Sequence, residues 1–260
     1  MKQTILERLA EIENSEGVRV LYACESGSRA WGFPSADSDY DVRFLYLHPV
    51  DWYLSIEDKR DVIERPVQEQ IDLSGWDLRK ALRLFRKSNP PLLEWLGSPI
   101  VYLEQFTVAD QLRRLKPVYY SPPACAHHYV HMARGNLRDY LKGERVRVKK
   151  YFYVLRPILA VNWIERDLGI MPTQFEALVN GLGLDPTLKA EIGKLLEAKL
   201  KGTELDYGPR IAPISDFIES ELSRFERSTF GYEKHAGSAE QLDDLFRGAL
   251  NEVWADGNRA

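Results

Sequence analysis

Between Glu25 and Phe44 the chain reads ESGSRAWGFPSADSDYDVRF, and the end of that stretch restricts the fold more than any other. Tyr40, Val42 and Phe44 alternate with Asp39, Asp41 and Arg43, which is the period of a β-strand. Acidic residues are poor strand formers. A D-x-D on a strand aims both carboxylates to one side, about 6.5–7 Å apart along the backbone. Like charges that close repel unless a cation lies between them. Metal ions, with Arg43 beside them, are the neutralisers the pattern calls for. Asp37 is read as a residue of the preceding turn, not a ligand.

Upstream, VRVLYACE (residues 18–25) is a continuous β-rich run, as expected of a strand buried on both faces. Gly27-Ser28 ends it, ahead of a short helix over RAWGF. Tight glycine turns and helix starts present backbone N–H groups that bind phosphate. DVIERPVQ and EQIDLSG read as two more strands, the first near an edge because of Pro66. Asp77 reads as the N-cap of LRKALRLFRKS, a helix that Asn89-Pro90-Pro91 stops. After Glu104 the strand signals give way to seven stretches of helical periodicity. The expected parse is α+β: a domain over 1–105 with a small mixed sheet, then an all-helical domain over 106–260.

The bulk numbers are those of an ordinary globular protein, 44% hydrophobic and 28% charged. Two cysteines, Cys24 and Cys125, make no disulfide framework, so a reducing, cytoplasmic setting is expected. The start, MKQTILERLAEIEN, is charged and amphipathic, unlike a signal peptide, and no apolar run reaches membrane-spanning length. No membrane partner is expected, and the oligomeric state is not encoded in any visible pattern. The segment from Arg134 to Arg156 carries 8 basic residues against 2 acidic, interleaved with Tyr140, Tyr151, Phe152 and Tyr153. That mixture suits a nucleic-acid backbone with base stacking, and equally a nucleotide triphosphate.

G-S-x(10)-D-x-D, here Gly27, Ser28, Asp39 and Asp41, resembles the signature of the DNA polymerase beta-like nucleotidyltransferase superfamily. GSRAWGFPSADSDYDVRF, DLSGWDLRKALRLFRKSNPPLLEWLGSPIVY and VKKYFYVLRPILAVNWIE resemble, more narrowly, the RlaP/YcgL group of bacterial and phage nucleotidyltransferases, associated with RNA repair. The resemblance implies a palm-like catalytic domain, and a glycine-serine turn that binds the triphosphate of an incoming NTP. It also implies two Mg²⁺ (or Mn²⁺) ions held by Asp39, Asp41 and a third carboxylate. Asp72, in an apolar strand shortly before a helix, fits that third place; Asp61 and Asp77 fit it less well.

Arg29 could touch a phosphate, and Arg43 either holds a ligand carboxylate or contacts substrate, the former being favoured. In related enzymes basic and tyrosine side chains of the helical domain reach the donor nucleotide. Lys149, Tyr153 and Arg156, at i, i+4 and i+7, are the expected set, with Lys150 nearer the acceptor. The expected reaction moves an NMP from an NTP to an acceptor hydroxyl, in a cleft between the two domains, and releases pyrophosphate. An RNA or tRNA end is the favoured acceptor, with a protein, a small molecule such as an aminoglycoside, or an inactive nucleotide-binding module as alternatives. His127 and His131 have metal-ligand spacing on a helix but no acidic companion, and Trp76 could stack on a base.

Overall fold

The computed structural model describes residues 1–202, 206–228, 230–231 and 237–255. By contact the chain divides into two compact units. The first comprises Met1–Ala30, Asp39–Tyr120 and His235–Ala260, the second Trp31–Ser38 and Ser121–Lys234. The sequence parse drew its boundary at 105. By contact, residues 106–120 and the C-terminal helix group with the sheet, and the short loop 31–38 groups with the helices.

The first unit is built on a five-stranded mixed sheet. Its strands are β1 (Arg19–Glu25), β2 (Tyr40–Leu47), β3 (Val62–Gln68), β4 (Ile71–Asp77) and β5 (Val101–Glu104), in the order β3-β4-β2-β1-β5. Only β2 and β4 run parallel; the other neighbours are antiparallel. β1 is buried from Val20 to Glu25, as its unbroken apolar run requires, and Pro66 lies on the edge strand β3, where a missing N–H is tolerated. Helix α1 (Lys2–Glu16) lays Ile5, Leu9 and Ile12 into a core with Val20, Val42, Phe44, Ile63 and Leu73.

Two short helices follow the first strands, α2 (Gly27–Trp31) and α3 (Val50–Tyr53). Asp77 caps α4 (Leu78–Arg86) by accepting the Arg79 N–H at 2.8 Å, as its position before an amphipathic run predicts. Asn89-Pro90-Pro91 does stop that helix, but it also starts the next. The Asn89 side chain caps α5 (Pro90–Leu96), and its prolines sit in the first turn, where no N–H is needed. α6 (Val108–Tyr119) packs on β1.

In the second unit α7 (Pro122–Tyr140) pairs with α8 (Tyr151–Glu165), α9 (Phe175–Gly181) packs on α8, and α10 (Pro186–Leu200) on α11 (Ala212–Arg227). α12 (Ala239–Trp254) closes the chain within the first unit, against α4 and α6. The expectation that strands end at Glu104 fails: β6 (Arg145–Arg147) and β7 (Tyr207–Pro209) form a two-stranded ribbon, followed from β6 by a 3₁₀ turn at Val148–Lys150. α8 is buried almost continuously from Tyr151 to Asn162, so it is the central helix of this unit. Phe33, from the loop after α2, stacks on Phe152 at 4.5 Å and meets Phe175 edge-on, which fastens that loop to the helices. Mixed α+β with a helical second unit is the fold class the sequence called for. No helix among the described residues is long and apolar enough to cross a membrane.

Candidate active site

The site is assembled where β1 ends, β2 begins and β4 runs beside it. The β2–β4 register sets Asp41 opposite Asp72. Between them lies the guanidinium of Arg43, which donates to an Asp41 carboxylate oxygen at 3.1 Å and to an Asp72 carboxylate oxygen at 2.8 Å. The same guanidinium donates to the carbonyls of Val42 and Asp72, both at 3.1 Å, so it is held rigidly in the sheet. Arg43 is thus paired with both carboxylates, a cation between two like charges.

Asp41 is half-buried. Burial pushes its carboxyl above the usual range; Arg43 opposes this, and the charges of Asp72 and Asp39 add to it. Gly27, at φ +56°, sits directly against this carboxylate: a Cβ there would lie 2.0 Å from Oδ2 of Asp41. The turn and the acidic strand thus interlock, and the interlock also runs through the backbone, where the Ser26 N–H donates to the Asp41 carbonyl at 2.8 Å.

Asp39 stands one residue ahead of β2 and is exposed. Its carbonyl accepts from Nε of Arg29 at 3.2 Å, and the Arg29 guanidinium lies 3.7 Å over the Tyr40 ring. Arg29 ties the glycine turn to the start of β2. Ser28 lies beside Gly27 in α2, half-buried. Asp61 is paired with Lys80 at 2.8 Å, and Asp77 is occupied by its cap and by the Tyr53 hydroxyl at 2.6 Å, so neither competes with Asp72 for the place beside Asp41.

One residue of the site was missed. Glu25, the last residue of β1, is fully buried; it accepts the Asp41 backbone N–H at 2.7 Å and the Tyr102 hydroxyl. Burial raises its pKa against both hydrogen bonds. An acid closing an apolar strand directly before the turn was the available signal. Glu25 fixes the backbone from which Asp41 projects.

The expected helical set does not form one surface. Lys149 is exposed, 3.8 Å from Asp206, and Tyr153 is half-buried. Arg156 is only 2% exposed; its guanidinium lies 4.6 Å over Trp31 and donates to the Thr173 carbonyl at 3.2 Å. Because α8 is buried at every position from Val154 to Asn162, the i, i+4, i+7 face meets solvent at Lys149 but not at Arg156, which is a packing residue. Lys150 sits against aromatic rings, 4.6 Å from Tyr140 and 4.2 Å from Tyr153. Trp76 packs against Trp95, with ring centroids 3.9 Å apart and planes tilted by 33°. His127 and His131 gain no companions: among the described residues no three His, Cys, Asp or Glu side chains converge closely enough to hold a metal ion.

A glycine turn interlocked with an acidic strand is the arrangement that the resemblance to DNA polymerase beta-like nucleotidyltransferases leads one to expect. Over residues 1–248 the chain matches the family described as "RlaP: RNA repair pathway DNA polymerase beta family", and it belongs to that family. It is 55% identical over 260 residues to a Bacillus subtilis (strain 168) protein named "Uncharacterized protein YcgL", a match covering 99% of each chain. A solved structure of a nucleotidyltransferase-like protein from Exiguobacterium sibiricum 255-15 aligns over 97% of this chain and 91% of that one, at 10% identity and a TM-score of 0.32. That superposition is too loose to carry any argument about the site.

Proposed function

We propose that this nucleotidyltransferase moves an NMP from an NTP to the hydroxyl of an RNA end, in a metal-dependent reaction. The observation that carries the reading is the Asp41–Arg43–Asp72 bridge set against the Gly27 turn. The description of the family as belonging to an RNA repair pathway supplies the link to RNA.

The donor set suits a hard divalent cation, since it is all carboxylate oxygen and its like charges already draw in a guanidinium. Asp39, Asp41 and Asp72 are the residues that would hold Mg²⁺ or Mn²⁺, but only after moving together: as they stand the three carboxylates do not converge, and Arg43 occupies the place between Asp41 and Asp72. When bound, the ion would supply positive charge at the phosphate oxygens and make the acceptor hydroxyl easier to deprotonate. The turn at Gly27 and Ser28 would receive the triphosphate, with the Ser28 hydroxyl as a donor. Glu25 and Arg29 keep the turn and β2 in register. The acceptor oxygen attacks the α-phosphorus, the bond to the β-phosphate breaks, pyrophosphate leaves with that electron pair, and the hydroxyl proton passes to solvent.

Arg43 competes with a metal ion for the same two carboxylates. Arg43→Gln is expected to lower the melting temperature in EDTA and to show a larger gain than wild type on adding Mg²⁺ or Mn²⁺, because the freed carboxylates face each other without a counterion. Equal gains in the two proteins, by thermal-shift measurement, would refute the shared-site argument.

The reaction itself is tested by incubating the protein with each labelled NTP, a divalent ion, and total RNA, lysate protein or aminoglycosides in parallel. Label is expected in RNA. Label in the protein or aminoglycoside arm alone would overturn the choice of acceptor.

A further inference from the structure

Within the second unit, basic and aromatic side chains form one continuous series of contacts. Tyr207 of β7 faces the Arg147 guanidinium at 5.4 Å, and Arg147 lies 5.8 Å from the Tyr140 ring. Lys150 stands between Tyr140 and Tyr153, at 4.6 and 4.2 Å. Tyr153 meets Trp31 edge-on at 5.4 Å, and Arg156 lies over the far side of the series at 4.6 Å from Trp31. Each contact is within cation–π or aromatic range. The series runs from Tyr207, a residue 56% exposed, to Arg156, a residue 2% exposed. Its inner end is therefore fixed in the core, and its outer end is presented to solvent.

The ribbon β6–β7 sets the outer end. Val146 is buried, so its neighbours Arg145 and Arg147 both project from the opposite face. The register places Arg147 beside Tyr207 and Arg145 beside Pro209. Nε of Arg147 donates to the Tyr207 hydroxyl at 2.9 Å, which holds ring and guanidinium together. Among the described residues Arg145, Arg147 and Lys150 form no ion pair with a carboxylate. Around the ribbon, residues 140–153 and 206–210 carry Lys142, Arg145, Arg147, Lys149, Lys150 and Arg210 against only Glu144 and Asp206. Burial, then the charges of Lys149 and Arg147, push the Lys150 pKa down, which marks the crowding of positive charge there.

A patch of this composition fits a ligand that carries regularly spaced negative charge and flat rings. An acidic protein surface would match the charge and leave the rings idle. Duplex RNA would match the charge and keep its bases stacked away from the rings. We propose that the outer face of the β6–β7 ribbon binds single-stranded RNA, with phosphates on Arg145, Arg147 and Lys149 and a base stacked on Tyr207. This rests on the reading of RNA as acceptor and supplies its contact surface.

The test is fluorescence anisotropy of a short labelled single-stranded RNA and of the corresponding duplex, in EDTA and without NTP, so that binding is read apart from transfer. The intact protein is expected to prefer the single strand. Tyr207→Ala should weaken it about tenfold and Tyr207→Phe much less, the scale of one lost base–ring stack. Arg145→Ala should make the salt dependence shallower by roughly one unit of log–log slope. Both positions are exposed, and unchanged melting curves would certify the fold. No binding by the intact protein, equal binding by the variants, or preference for the duplex each overturns the proposal. If label enters RNA but the ribbon variants bind as the intact protein does, the ribbon assignment fails and the acceptor reading stands. If RNA binds through the ribbon but no label enters any RNA, the reverse holds.

Discussion

Asp41→Asn is expected to remove nucleotidyl transfer while leaving the chain folded. The side chain keeps its shape, and an amide oxygen can still accept from Arg43 at the position now held at 3.1 Å. What is lost is a negative charge where Gly27, Asp72 and Arg43 converge. The rate should fall at least about a hundredfold, the scale of removing one preorganised electrostatic contact from a transition state. Stability should change little or rise, because the carboxylate is partly desolvated and lies near the like charges of Asp39 and Asp72. Asp72→Asn should behave in the same way, since it shares the Arg43 bridge. Asp61→Asn is the contrast: its partner is Lys80, at the start of α4, so transfer should persist. Single-turnover incorporation of labelled NMP decides the matter, and a normal rate in Asp41→Asn would remove the acidic strand from the mechanism.

The legible parts of this chain were those with a period or a cap long enough to register. β2 announced itself through Tyr40, Val42 and Phe44, and α4 through Asp77 and its amphipathic face. Strands of three or four residues such as β5, β6 and β7 have too few positions to show alternation, and they exist because partners pair with them. Asn89-Pro90-Pro91 reads equally as an end and as a beginning, and the cap geometry makes it both.

In the site, the glycine turn and the paired aspartates were visible because their chemistry is carried by residue type and spacing. Glu25 was not, since its role depends on a hydrogen bond to the backbone of Asp41, across to the neighbouring strand β2. Arg156 was misread for a different reason. A spacing of i, i+4, i+7 defines a face, but whether that face meets solvent depends on neighbours outside the helix, here Trp31 and Thr173, that the spacing does not show.

Gly27→Ala should reproduce much of the loss seen in Asp41→Asn, through geometry in place of charge. At φ +56° an alanine costs about 1–2 kcal/mol more than glycine from backbone strain alone. The added methyl would also lie 2.0 Å from Oδ2, 2.8 Å from Cγ and 3.3 Å from Cβ of Asp41. Rotating the carboxylate away would relieve only the first of these contacts fully, and it would break the bond from Arg43. The substitution must therefore displace Asp41 or open the turn, and either one separates the glycine turn from the acidic strand. A fall in transfer of about a hundredfold is expected, as for the lost charge itself. A double-mutant cycle isolates the cause. In an Asp41→Ala background the carboxyl is gone, so Gly27→Ala should destabilise only by the strain of its positive φ and the 3.3 Å contact with the remaining Cβ, less than in the intact protein. Equal destabilisation in both backgrounds, from denaturant unfolding, would mean that the turn and the aspartate do not interlock.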